Sequence, residues 1–70
     1  MNKRTAMLAS LRARYEADIA EADTTINIYL DNPVAIGEHP QHLDEIDKLL
    51  GQIKEAEEKL SLIKNGEWTK

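Results

Sequence analysis

Two histidines three residues apart, His39 and His42, with Glu38 and Asp44 nearby, form the grouping in this 70-residue chain that most resembles a metal-ligand set. Ligands at that spacing can share a helical face, but here they straddle the expected start of a helix. Neither ring is fixed, and no third ligand is distinguished by spacing. Two polar side chains at the head of a helix explain the pair without a metal. The hydroxyls Ser10, Ser61, Thr5, Thr24, Thr25 and Thr69 have no His beside them to act as a base. Carboxylates are plentiful, yet setting the pKa of one against another takes a cleft that excludes water, and two helices alone do not build one. The reading is a protein that is not an enzyme, with no catalytic, metal or cofactor site.

Lys3, Arg4, Arg12 and Arg14 make a basic start that could touch phosphate. Against this, nine basic residues face thirteen acidic ones, for a net charge of -4, and no aromatic residue is interleaved to stack on bases. Nucleic acid is therefore an unfavoured partner, and a weak nucleic-acid-binding accessory role is the last of the alternatives. There is no Cys, so neither a disulfide nor a thiolate metal site can staple the fold. No stretch approaches the ~18 apolar residues of a membrane span. Met1 to Arg12 is charged too early for a signal peptide, which gives a cytoplasmic reading without a membrane partner.

The elements that position these groups are set by apolar spacing. In the first half Leu8, Leu11, Tyr15, Ile19, Ala22, Ile26 and Leu30 recur at an average of about 3.67 residues, the period of a nearly straight stripe. Met7 and Tyr29 flank it. This spacing predicts a helix over residues 3–31, about 43 Å long at 1.5 Å per residue. In the second half Ile46, Leu49, Ile53, Ala56, Leu60 and Ile63 keep a heptad, with Leu43 and Leu50 widening the face. Pro40 suits the first turn, Asp44, Glu45 and Asp47 suit the positive end of the helix dipole, and Lys64 and Gly66 suit the other end. The second helix is predicted over 40–64. Gly51 lies inside it, either for close backbone approach or as slack.

Between the helices, the segment Asn32 to Pro40 is a loop over 32–39, and residues 65–70 form a tail. Val34 and Ile36 are too apolar for an idle connection. They are expected to close the seam against Leu30, Leu43 and Ile46, with a partner-binding knob as the rival reading. An antiparallel register in which facing residue numbers sum to about 71 or 72 brings Arg12 and Arg14 toward Glu55, Glu57 and Glu58. It also brings Asp18 and Asp23 toward Lys54 and Lys48. A second stripe on the first helix, Ala6, Ala9, Ala13, Ala17, Ala20, Thr24 and Ile28, lies opposite the seam. Small residues there either admit another helix or simply favour helix formation. Trp68 is either folded back or an anchor for a partner.

The segment Tyr29-Leu30-Asp31-Asn32-Pro33-Val34-Ala35-Ile36-Gly37-Glu38-His39-Pro40, followed by an acidic Leu/Ile heptad helix, resembles short uncharacterised proteins of large tailed bacteriophages that infect marine bacteria. The resemblance spans about residues 8–63 and implies a phage-like source and a small helical hairpin, with no activity attached.

The expected fold is all-α: a single antiparallel two-helix hairpin that pairs into a helical bundle as a homodimer. The expected function is a protein-protein interaction or regulatory module acting on a host or phage protein. A structural component of a larger assembly is the alternative. Candidate interface residues are Ala13, Ala17, Ile28, Val34, Ile36 and Trp68.

Overall fold

The computed structural model describes residues 2–31 and 41–66, which form two α-helices, α1 (Lys3–Leu30) and α2 (Gln41–Asn65). The readings that concern Val34, Ile36, His39, Pro40 and Trp68 fall outside the described residues. The protein is an all-α antiparallel hairpin. At one end the rings of Tyr29 and His42 lie 5.0 Å apart, and at the other Leu8 and Ile63 line one groove. Both pairs of residue numbers sum to 71, the register that the two apolar patterns require.

Local chemistry sets the helix ends. The Asn2 side-chain oxygen accepts the Thr5 backbone N–H at 2.7 Å, which makes Asn2 the N-cap of α1. Asp31 caps the other end, so α1 stops one residue before the expected limit. Gly66 adopts φ 67 beyond the end of α2, a left-handed conformation with little penalty in glycine. Its N–H donates to the Leu62 carbonyl at 2.9 Å. Asp44 in the first turn and Lys64 in the last complement the dipole of α2.

Within the seam, Ala22, Ile26 and Ala56 are buried. Around them Leu8, Leu11, Tyr15, Ile19 and Tyr29 of α1, and Ile46, Leu49, Ile53, Leu60 and Ile63 of α2, are half-buried. The heptad of α2 is thus in place. The stripe of α1 differs from expectation at its end, because Leu30 is 54% exposed and Tyr29 takes the seam position instead. From Leu8 to Tyr29 the seam runs through Tyr15 and Ala22 in steps of seven, so its average is about 3.5 residues rather than 3.67. The cause is the partner: a helix that faces a heptad must present residues at the same spacing to remain in contact. Leu43 and Leu50, expected to widen the buried face of α2, are exposed.

Small residues lie opposite large ones at the middle of the seam. In this register Ala56 lies level with Tyr15 and Ala22 level with Leu49, and all four line one central groove. Two large side chains at either level would hold the helices apart.

Of the charges expected to face one another across the hairpin, Arg12 and Glu55 pair along their own helices instead. Arg12 reaches Glu16 at 3.6 Å, and Lys59 reaches Glu55 at 3.1 Å. A residue one turn away on the same helix is already within reach, whereas a long side chain must extend past the seam to find a partner opposite. Asp18, expected near Lys54, contributes to the electrostatic environment of Lys59.

Gly51 makes no close backbone approach: a Cβ built there meets nothing within 4 Å. The slack reading is the correct one. Gly51→Ala is expected to stabilise the hairpin by roughly 0.5–1 kcal/mol, through helix propensity and a less flexible unfolded chain. A rise in thermal midpoint checks this; an unchanged or lower midpoint contradicts it.

The radius of gyration is 16.0 Å, against about 11 Å for a compact chain of this length. Extents of 51 × 22 × 13 Å describe two helices side by side in one layer. Nothing in the described structure packs on either side of that layer.

Candidate interaction surface

A single layer leaves large apolar side chains in contact with water. Met7, Ile28, Leu30, Leu43 and Leu50 are each more than half exposed, and Leu62 is 40% exposed. They fall into separate places. Met7 and Leu62 join Leu8, Leu11, Tyr15 and Ile63 around an open groove of about 600 Å³ where the helices begin and end, with Lys3, Arg4 and Lys59 on its rim. Leu43 and Leu50, two turns apart, share one side of α2. With Leu30 they lie in the half of the hairpin nearest the connection. Ile28 lies on the α1 face turned away from α2, as do the exposed Ala13 and Ala17.

Three of the residues singled out from sequence, Ala13, Ala17 and Ile28, are therefore accessible on one face. That face is sparse, because its other members are alanines and Thr24. The sequence reading missed Met7 and Leu62 as parts of a common groove. The available signal was that both fall outside the 3/4 spacing of the seam while remaining large and apolar. It also placed Leu30, Leu43 and Leu50 in the interior of the hairpin, when they lie on its surface.

Some of the groups considered for chemistry make local contacts, while Glu38, His39 and Thr69 lie outside the described residues. Ser10 and Thr25 hydroxyls donate to the carbonyls of Ala6 and Glu21 at 2.9 and 2.8 Å, back-bonding within α1. His42 is half-buried against Tyr29. Among the described residues no three His, Asp or Glu side chains converge on a common point. None of the described helices is long and apolar enough to cross a membrane.

Lys59 links the helices. Its ammonium lies 5.4 Å from the centre of the Tyr15 ring, an attraction of cation for ring face. It also donates to Glu55, and that hydrogen bond and charge raise its pKa above the ordinary 10.5. A raised folded-state pKa contributes stability that is fully present below the unfolded value and is lost as pH rises through the folded value. The thermal midpoint should therefore decline above about pH 10, with a smaller decline in Lys59→Gln. Equal declines in both proteins would contradict the assignment.

Charge is polarised along the hairpin. The half nearest the chain ends, residues 3–17 and 54–65, carries Lys3, Arg4, Arg12, Arg14, Lys54, Lys59 and Lys64 against Glu16, Glu55, Glu57 and Glu58, a net +3. The half nearest the connection, residues 18–31 and 41–53, carries Lys48 against Asp18, Glu21, Asp23, Asp31, Asp44, Glu45 and Asp47, a net -6. The acidic composition of the chain thus conceals a basic end.

Among the described residues, the arrangement can bind through apolar contact steered by charge. No protein-family model, curated protein or solved structure matches this chain.

Proposed function

We propose that this hairpin is a protein-protein interaction module, half of a helical bundle whose missing helices come from other molecules, first of all a second copy of itself. The observation that carries this reading is that, among the described residues, Ala22, Ile26 and Ala56 alone are buried while six large apolar side chains are left exposed. Burial of apolar surface is worth roughly 25 cal/mol per Å², and a single layer gains it on one side of each helix alone. A second hairpin laid against the first forms a four-helix bundle and supplies the other side. A phage or host protein is a further occupant in this reading, as the resemblance carried by residues 29–40 implies.

Sedimentation at micromolar concentration tests the proposal. The expected result is a species heavier than one chain, with a thermal midpoint that rises with protein concentration. A monomer whose melting is independent of concentration would overturn self-association.

A further inference from the structure

We infer that the two copies pair antiparallel, with the basic chain-end half of each hairpin laid against the acidic connection half of the other. The inference rests on the self-association proposed above and adds its orientation. A parallel pair would set the two acidic halves side by side, each with a net -6, and the two +3 halves likewise. The antiparallel pair replaces both repulsions with two equivalent attractions, as a two-fold axis requires. Like charges brought together oppose a wrong arrangement more strongly than opposite charges favour the right one, so orientation is chosen mainly by what the parallel pair must bear.

Exposed apolar side chains occur in both halves, Met7 and Leu62 in one and Leu30, Leu43 and Leu50 in the other. Met7 and Leu30 fall on opposite sides of the α1 seam at about 100° per residue, so one two-fold interface covers one of these groups, whichever orientation it takes. Charge is then the term that separates the two. Because the screening length is about 8 Å at physiological salt, this preference weakens as salt is added.

The absence of Cys makes the orientation measurable, since one introduced thiol is the only labelling site. Thr5 is exposed on α1 near the chain ends. It lies some 13 residues from the middle of the seam, about 20 Å at the helical rise. Nitroxide labels on Thr5→Cys in the full chain are therefore expected about 40 Å apart in an antiparallel dimer, and below ~25 Å in a parallel one, where only the packing distance and label arms separate them. Asn65→Cys, at a similar level on α2, repeats the measurement should Thr5→Cys alter the melting curve.

Raising NaCl from about 0.05 M to about 0.5 M should weaken the antiparallel dimer several-fold in Kd, whereas a parallel dimer would tighten. Long distances with salt-weakened association support the inference. Short distances, or association that tightens with salt, overturn the orientation and leave self-association standing. A monomer in sedimentation overturns both.

Discussion

Ile26→Ala is expected to unfold the hairpin under conditions where the parent is folded. Ile26 is the largest buried side chain among the described residues, at 8% exposure, and truncating a buried Ile to Ala typically removes about 2–5 kcal/mol through lost transfer energy and the space left behind. In a domain with several layers such a loss is a fraction of the total. Here the remaining seam is half-exposed, and ordering each residue opposes folding by roughly 1–2 kcal/mol for the backbone alone, so little margin is left to absorb it. Far-ultraviolet circular dichroism during urea titration checks this: the midpoint should fall sharply, and helix signal should already be reduced without denaturant. A midpoint like that of the parent would mean that the seam is not the source of stability.

The second large effect is expected from enlarging a residue. Ala22 is the most buried side chain of the described residues, at 2% exposure, and lies level with Leu49 in the register. Ala22→Leu puts two branched side chains where one fits. The helices must separate, or one side chain must leave its preferred rotamer, at a cost of about 1–3 kcal/mol. Ala17→Leu is the control: Ala17 is exposed on α1, and the same chemical change should alter stability by no more than about 0.5 kcal/mol. Thermal melts of the two variants side by side decide the matter. If Ala17→Leu is the more damaging, or if it alone changes the sedimenting mass, the outer alanine face takes part in association.

How much of this was legible in the sequence depended on whether one helix could be read alone. The heptad of α2 and the cap at Gly66 were, because spacing and glycine placement report local constraints. The choice between Tyr29 and Leu30 was not. Both are apolar enough for the last seam position, and hydrophobicity favours Leu, but the heptad across the seam admits the residue that keeps its period. Gly51 was ambiguous for a similar reason: a glycine that makes room for a neighbour and one with no neighbour are identical in sequence. The charges were read as pairs across the seam, and nearer partners on the same helix took Arg12 and Glu55 instead. Of the candidate surface, the exposed positions Ala13, Ala17 and Ile28 were visible as a stripe opposite the seam. The groove around Met7 and Leu62 needed the relative placement of two helix ends, which periodicity within either helix does not contain.

The thinness of the layer also governs how the backbone exchanges its hydrogens with solvent. Amides in the middle of a helix are released by events that break the packing around them, and those near an end by fraying. Among the described residues the buried side chains are Ala22, Ile26 and Ala56, so the slowest-exchanging amides belong around Ala22 on α1 and around Ala56 on α2. Protection should fall toward both ends of α1 and α2. The exposed side chains at those ends are thus carried on the segments that open most readily, so a molecule that covers them would slow exchange most where the isolated hairpin protects least.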